Sequence, residues 1–145
     1  MNIETCGAET LGQWIALRFA LWPDEDREIM AREAPVLLAR PGMLVLVARE
    51  TTDVIGFAEA SVRRDFVNGC ETSPVAFVEG IYVVPDYRHK GVARALMAAI
   101  EQWAQDQGLR ELASDALLQN AESHAMHKAL GFSETERVVY FRKQL

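Results

Sequence analysis

The most informative stretch of the sequence is a polar turn between an apolar strand and a helix. The turn reads Arg-His-Lys-Gly-Val-Ala over residues 88–93 and follows the apolar run 78–84. The first turn of a helix leaves several backbone N–H groups without an internal partner, and the helix dipole adds partial positive charge there. Gly91 lets a large anion approach the backbone, and Arg88 and Lys90 add formal positive charge. These features together predict a binding site for a pyrophosphate group.

The apolar residues of the rest of the chain predict an α/β fold in a single domain, residues 1–145. Alternating or continuous apolar runs predict strands, and apolar residues at helical spacing predict helices. The predicted elements in chain order are strand 2–5, helix 9–21, helix 24–38 with Asp24 as its cap, strands 44–49, 54–62 and 76–84, a helix from just after residue 88 to Gly108, strand 111–114, helix 120–130 and strand 135–142. The three central strands follow one another closely and predict an antiparallel meander. We therefore expect a mixed central β-sheet with helices on both faces.

The chain is acidic, with 21 Asp and Glu against 15 Lys and Arg and a net charge of −6. Nucleic-acid-binding domains usually carry a basic surplus, so this balance argues against that class. It suits a cationic ligand, because an acidic cleft concentrates positive charge, although surface carboxylates also serve solubility alone.

Further sequence features indicate the cellular compartment of the protein and whether it binds a metal. The sequence has no run of about 18 apolar residues that would span a membrane, and its start, Met1-Asn2-Ile3-Glu4, does not resemble a signal peptide. Cys6 and Cys70, the two cysteines, are too few and too far apart for a disulfide scaffold or a metal site. We expect a cytoplasmic protein that binds neither membrane nor metal.

The strand-to-helix phrase resembles the signature of the GCN5-related N-acetyltransferases (the GNAT superfamily), Arg/Gln-x-x-Gly-x-Gly/Ala after an apolar strand ending in Val-x-Pro-x-x-Arg. Asn120 followed by Leu130-Gly131-Phe132 resembles the Asn-x(10)-Gly-Phe helix of the same superfamily, and the order of elements also agrees. The resemblance covers nearly the whole chain. It implies the GNAT fold and acetyl-CoA as cosubstrate.

The resemblance also implies how acetyl-CoA is held. Its pantetheine arm would pair with the backbone of Ile81, Tyr82 and Val83, where that strand splays from its parallel neighbour, as an added strand does. Asn120 would hydrogen-bond the pantetheine, cap the last helix, or do both. The pyrophosphate would lie on the backbone of Arg88, His89, Lys90, Gly91, Val92 and Ala93.

Acetyl transfer to an amine needs two proton movements. An alkyl amine has a pKa of about 10 and must lose a proton first, and Glu79 and Asp115 are the carboxylates placed to accept it, directly or through a water. The departing thiolate needs an acid. Many family members carry a tyrosine seven residues after the helix asparagine, and His127 stands there in this chain. The acid is therefore His127, Tyr140 from the last strand, or solvent.

Within the superfamily, the chain resembles the aminoglycoside 6'-N-acetyltransferases, through phrases outside the acetyl-CoA signature. These phrases include Leu21-Trp22-Pro23, Asn68-Gly69-Cys70 and Ala113-Ser114-Asp115. The resemblance implies acetylation of the 6'-amino group of these antibiotics, and resistance to them. A polycationic substrate calls for carboxylates and an aromatic wall. The residues that the resemblance assigns to the substrate are Trp22, Phe66, Glu79, Asp115 and Glu136. Glu25, one loop away from Trp22, is a candidate for a further carboxylate.

Other readings of the same residues remain open. The fold also serves a polyamine or a protein or peptide amine, and an acyl-CoA-binding sensor without turnover is the non-enzymatic alternative. The apolar run Val138-Val139-Tyr140-Phe141 forms an edge that needs covering. Relatives form homodimers, sometimes by exchanging the final strand, so we expect a homodimer in which Glu136 reaches the partner's cleft if that strand is exchanged.

Overall fold

A five-stranded sheet lies at the centre of the protein. Its strands are β1 (Asn2–Thr5), β2 (Met43–Glu50), β3 (Asp53–Arg63), β4 (Val75–Val83) and β5 (Leu112–Ser114). In this computed structural model, which describes residues 1–145, the strands lie side by side in sequence order. The pairs from β1 to β4 are antiparallel, and β4 and β5 are parallel. The predicted mixed sheet with its antiparallel meander is therefore confirmed.

Helices cover both faces of the sheet, as predicted. On one face, α1 (Leu11–Leu21) and α2 (Arg27–Ala39) bury apolar residues against β2 and β3, with Trp14 and Phe57 fully buried. On the other face, α3 (Val92–Asp106) packs against the sheet. Neighbouring residues of a strand point to opposite faces, so Phe57 belongs to the first core and Ala58 to the second. A final helix, α4, spans Ala121–Ala129.

The start of α2 differs from the prediction in its cap. Asp26, and not Asp24, is the N-cap residue, and its Oδ1 accepts a hydrogen bond of 3.0 Å from the backbone N–H of Ile29. Asp24 falls in the turn after α1, where the N–H of Glu25 donates to the carbonyl of Trp22. Two acidic residues close together made the sequence ambiguous here. None of the four helices combines the length and apolar character needed to cross a lipid bilayer.

The predicted final strand, residues 135–142, is wrong for the isolated chain. Residues 133–145 carry no regular secondary structure and are all exposed. A strand exists only through hydrogen bonds to a neighbour, and no strand of the same chain pairs with this segment. Its apolar side chains are consequently open to solvent, with Val139 77%, Tyr140 86% and Phe141 92% exposed.

Candidate active site

Strands β4 and β5 separate just beyond a short parallel ladder. The ladder ends at the pair Val78–Ser114. Beyond it, Ile81, Tyr82 and Val83 still pair with β3, but their other backbone edge has no strand beside it. An extended ligand can pair with such an edge as an added strand.

A β-bulge in β4 coincides with this separation. Glu59 of β3 pairs with Gly80, and the next residue, Ala60, pairs with Val78, so Glu79 is the extra residue of β4. Bulges of this kind bend a strand and redirect a side chain, and they are frequent beside active sites. The bulge therefore sets the direction of the Glu79 carboxylate.

The carboxylate of Glu79 is held by two neighbours on β3. Arg63 donates from Nε to Oε1 (3.0 Å) and from Nη2 to Oε2 (2.8 Å), and the hydroxyl of Ser61 donates to Oε1 (2.5 Å). The guanidinium carbon of Arg63 also lies 3.4 Å from the centroid of the Phe77 ring. Glu79 is thus fixed in orientation, and both of its oxygens already accept hydrogen bonds. Neither Arg63 nor Ser61 was among the residues predicted from the sequence.

Asp115 lies beside Glu79 but is not held in the same way. It follows Ser114 as Glu79 follows Val78, so the two carboxylates leave the ladder at the same level on neighbouring strands. Asp115 is exposed and forms no ion pair. The hydrogen bond with Glu79 is the main cause of a raised pKa at Arg63, and the negative charges of Glu79 and Asp115 add to the rise. These groups therefore form one charge cluster around Arg63.

The predicted pyrophosphate turn precedes α3 as expected. Gly91 is the N-cap residue and has a φ of 86°, in the left-handed region, and His89 also has a positive φ of 61°. No side chain caps the helix, so the N–H groups of its first turn, which begins at Val92 and Ala93, have no internal partner. No atom lies within 4 Å of the place where a Cβ on Gly91 would stand. The turn therefore offers unpartnered donors facing open space, which fits a bound anion.

The two cations of this turn are placed differently. Arg88 donates from Nε to the carbonyl of Val83 (2.9 Å), which ties the turn to the end of β4. Lys90 is exposed, with its Nζ 5.4 Å from the ring centroid of Tyr87. Arg88 thus positions the turn, whereas Lys90 is free to meet a ligand.

Trp22 follows α1 and lies directly against β4 beside Glu79. A Cβ added to Gly80 would stand 2.7 Å from two carbons of the indole ring, so the ring covers this glycine. Trp22 also meets Phe57 edge-on, with ring centroids 6.3 Å apart. The ring forms part of a cavity of about 320 Å³ whose lining is Arg18, Trp22, Leu37, Arg40, Met43, Glu59, Ser61 and Glu79. The structure thereby brings the predicted aromatic wall and one predicted carboxylate together.

A buried polar cluster stands behind Trp22, and the sequence reasoning missed it. Glu59 is 2% exposed and accepts hydrogen bonds from Trp14 Nε1 (3.1 Å) and Arg18 Nε (2.6 Å). Burial raises the pKa of Glu59, and the charge and hydrogen bonds of Arg18 oppose that rise. The available signal was a charged residue inside the otherwise apolar strand β3.

His127 lies at the separation of β4 and β5, joined to Ser114. Its Nδ1 is 2.7 Å from the carbonyl oxygen of Ser123, and its Nε2 is 2.7 Å from the hydroxyl of Ser114. Because a carbonyl only accepts, Nδ1 carries a hydrogen, and the proton between Nε2 and Ser114 defines the charge of the ring. The ring packs edge-on against Phe132, with centroids 5.2 Å apart. Ser114 was not predicted as part of the site.

Asn120 performs the capping role that the sequence suggested. Its Oδ1 accepts a hydrogen bond of 3.1 Å from the backbone N–H of Ser123 at the start of α4. Helix α4 is also tied to α3, because Arg94 donates to the carbonyl of Ala129 (3.0 Å). These contacts hold the helix that carries His127.

Three of the predicted substrate residues do not join the cavity in the isolated chain. Glu25 and Phe66 are exposed on loops, Phe66 at 69%, and Glu136 lies in the exposed C-terminal segment. The loop that carries Phe66 is fastened to β5, because Glu111 accepts hydrogen bonds from the backbone N–H of Glu71 and Thr72 and from the Thr72 hydroxyl. These bonds, led by that of the Thr72 hydroxyl, lower the pKa of Glu111.

Comparisons with known proteins agree with this geometry. Residues 8–132 match the acetyltransferase (GNAT) family. The aminoglycoside N(6')-acetyltransferase type 1 of Acinetobacter genomosp. 13 is 48% identical over 145 residues, which is 100% of this chain and 99% of that protein. The enzyme of the same name from Salmonella typhimurium is 42% identical over 144 residues, covering 99% of each chain.

Solved structures give the same picture. The apo structure of aminoglycoside antibiotic 6'-N-acetyltransferase AAC(6')-IG from Acinetobacter haemolyticus superposes with a TM-score of 0.96 at 46% identity, covering 100% of this chain and 99% of that one. AAC(6')-Iy in complex with the bisubstrate analogue CoA-S-monomethyl-acetylneamine superposes with a TM-score of 0.94 at 41% identity, covering 99% and 98%.

Proposed function

The chain belongs to the acetyltransferase (GNAT) family, and on that premise we propose that it transfers an acetyl group from acetyl-CoA to the 6'-amino group of aminoglycosides, in a ternary complex. The observation that carries the proposal is the pair of carboxylates, Glu79 and Asp115, at the point where β4 and β5 separate, beside the Trp22 wall. Acetylation turns a cationic amine into a neutral amide, so the antibiotic loses a charge and the cell gains resistance. The whole chain, residues 1–145, acts as one catalytic domain.

Acetyl-CoA fits the groups that the chain offers. The free edge of Ile81–Val83 suits the amides of the pantetheine arm, and the unpartnered N–H groups at the start of α3 suit the pyrophosphate. Lys90 is exposed and free to pair with a phosphate, and the Asn120 amide is free to donate to the pantetheine through Nδ2. The cosubstrate supplies an acetyl group activated as a thioester, and no metal takes part.

Glu79 and Asp115 divide the work on the amine. Glu79 is fixed by Arg63 and Ser61, so it serves as an oriented anion that binds the substrate ammonium. Asp115 has no ion-pair partner and accepts the proton, directly or through a water. The neutral amine then attacks the acetyl carbonyl, and as the C–S bond breaks the nitrogen loses its second proton to water, which leaves the amide and the thiolate. The matched variants Asp115→Asn and Glu79→Gln separate the two roles, because the first lowers kcat and the second raises KM for the antibiotic.

Ser114 and His127 supply the proton that the departing thiolate needs. A protonated His127 donates from Nε2 to the Ser114 hydroxyl, whose own hydrogen is then free for the thiolate, and one proton passes along this 2.7 Å contact. The product thiol has a pKa of about 8.5 and therefore keeps the transferred proton at neutral pH. Tyr140 is the second candidate, because its phenolic hydroxyl is a proton donor and its ring is exposed. A lower kcat in Ser114→Ala and His127→Gln assigns the proton to the histidine and serine pair. A lower kcat in Tyr140→Phe assigns it to Tyr140.

The remaining substrate contacts come from the rim of the cleft. Glu25, Phe66 and Glu136, which do not join the cavity in the isolated chain, are assigned to the substrate as two further carboxylates and a second aromatic ring. An aminoglycoside carries several ammonium groups, which carboxylates and aromatic faces bind together. Phenylalanine at position 66 offers a ring face without a hydroxyl, so this contact is apolar.

The protein works as a homodimer. The exposed apolar segment Val138–Phe141 pairs with no strand of its own chain, and β5 has one edge unpaired. Pairing of this segment with the partner subunit covers both, and carries Glu136 toward the partner's cleft. Removal of residues 134–145 tests this. We expect light scattering to give the mass of a dimer for the full chain and of a monomer for the truncated chain. The same oligomeric state for both chains refutes the proposal.

The enzyme acts in the cytoplasm. Its cosubstrate is made there, and both cysteines, Cys6 and Cys70, are free thiols, as is usual in a reducing compartment. Fractionation of cells that express the protein at native level tests this, with activity expected in the cytoplasmic fraction and not in the periplasmic one.

The site of acetylation is tested with a matched pair of aminoglycosides. One carries an amino group at position 6' and the other a hydroxyl there, with the remaining amino groups unchanged. Acetylation of the first alone, with NMR placing the acetyl group on the 6' nitrogen, supports the proposal. Equal turnover of both, or turnover of spermidine or a lysine peptide in their place, refutes it.

A further inference from the structure

The Arg18–Glu59 ion pair lies directly behind the aromatic wall of the proposed substrate site. Both side chains are buried, Arg18 being 9% and Glu59 2% exposed, and they are joined by a contact of 2.6 Å. Trp14, fully buried, donates to the same carboxylate oxygen at 3.1 Å. The pair is thus rigidly fixed from both sides.

Arg18 lies between two indole rings. Its guanidinium carbon is 5.3 Å from the ring of Trp14 and 5.1 Å from the ring of Trp22. Its Nη1 is buried and has no hydrogen-bond partner. A buried donor without a partner is costly, so the position of Arg18 is explained by its charge on the two rings and by its bond to Glu59.

The Trp22 ring lies between the Arg18 guanidinium and strand β4. One side of the indole faces Arg18, and its far edge covers Gly80, next to Glu79. Arg18, Trp22, Glu59 and Glu79 line the same cavity. Any tilt of the indole therefore changes the width of the cavity beside Glu79.

We propose that Arg18 and Glu59 are positioning residues, which hold the Trp22 ring at the angle required to stack against the substrate. This inference rests on the proposed function, because Trp22 is the wall of that substrate site. A buried ion pair can often be replaced by uncharged residues without loss of stability. Uncharged residues in the same space would not orient the Trp22 ring. This orientation therefore explains why a charged pair is present here.

The test is the double variant Arg18→Met/Glu59→Gln. Methionine keeps the packing volume, and glutamine keeps an acceptor for Trp14, so both charges leave together and no lone charge stays buried. We expect KM for kanamycin to rise about tenfold, while kcat and KM for acetyl-CoA stay within about twofold. The matched control is the half-buried pair Arg49→Met/Glu4→Gln on β2 and β1, away from the cavity, for which all three parameters stay unchanged.

A mutant cycle with Trp22→Ala separates positioning from general loss of packing. If the pair acts through Trp22, the triple variant has the same KM for kanamycin as Trp22→Ala alone. Additive effects, or an unchanged KM in the double variant, overturn the proposal. If the double variant no longer unfolds cooperatively, the single variant Arg18→Lys takes its place. Lysine keeps the charge but lacks the planar group that contacts the two indole rings. A KM for kanamycin equal to that of wild type then overturns the proposal.

A readout independent of turnover separates this proposal from the proposed function. Acrylamide quenching of the Trp22 fluorescence, assigned by subtraction with Trp22→Phe, increases in the double variant if the ring is released. Absence of acetylation by the wild type refutes the proposed function and leaves this readout to decide the positioning role. Unchanged quenching overturns the positioning role whatever the enzyme acetylates.

Discussion

Replacing Gly80 by alanine tests the contact on which the aromatic wall depends. The new Cβ would stand 2.7 Å from two carbons of the Trp22 ring, whereas ordinary contact begins at 3.4 Å, so the ring must move by about 0.7 Å. Leu21, at 3.2 Å from the same Cβ position, leaves little room for the movement.

The expected effect follows from what the ring loses. Overpacking of this kind costs about 1–3 kcal/mol of stability. A displaced ring loses part of its cation–π contact with Arg18, worth about 0.5–2 kcal/mol, and part of its edge contact with Phe57, worth about 0.5–1.5 kcal/mol. Loss of about 1.4 kcal/mol at the wall raises KM for an aminoglycoside about tenfold.

The matched control is Gly12→Ala in α1. No atom lies within 4 Å of the Cβ position at Gly12, which is exposed, so alanine there stabilises the helix by about 0.5–1 kcal/mol. The assay combines urea unfolding with steady-state kinetics for both substrates. If Gly80→Ala matches wild type in unfolding free energy and in KM for the antibiotic, the Trp22 ring does not form the wall of the substrate site.

Three further predictions concern the proton acceptor, the anion-binding turn and the loop that carries Phe66. Asp115→Asn lowers kcat by about 10²–10⁴ with little change in either KM, as steady-state kinetics will report; an unchanged kcat would assign the proton to another group. Gly91→Ala places an ordinary residue at a φ of 86° and costs about 1–2 kcal/mol, so KM for acetyl-CoA rises while KM for the antibiotic does not; the reverse pattern would contradict the assignment. The lowered pKa of Glu111 means that its hydrogen bonds add stability above its ordinary value of 4.5, and that this stability disappears as the pH falls through the lower folded value. The difference in Tm between wild type and Glu111→Gln is therefore constant from about pH 6 to 8 and shrinks below about pH 4.5; a difference that grows on acidification would refute the assignment.

The sequence predicted the sheet, the helices and the glycine turn before α3 because each has a local cause. Apolar alternation defines β3 and β4, and the Gly91 turn follows from residues adjacent in the chain. The C-terminal segment was predicted as a strand for the same reason, since Val138–Phe141 has the right residue types. A strand also needs a neighbour, and residue types in one segment do not say whether the same chain provides it.

The cluster behind Trp22 and the partners of Glu79 were missed because their cause is not local. Arg18 and Glu59 are 41 residues apart in sequence and meet only through the packing of α1 on β3. Arg63 and Glu79 meet across the antiparallel pair of β3 and β4, beside a bulge that alternation alone does not reveal. Ser114 reaches His127 because β5 and α4 converge at the end of the ladder.

The most direct test of the proposed activity is the rate of thiol release from acetyl-CoA by the purified protein, with kanamycin and spermidine as parallel acceptors. We expect rapid release with kanamycin, little with spermidine, and loss of the kanamycin rate in Asp115→Asn. Release with spermidine but not with kanamycin would contradict the assigned substrate while leaving the family and the acetyl-CoA site in place.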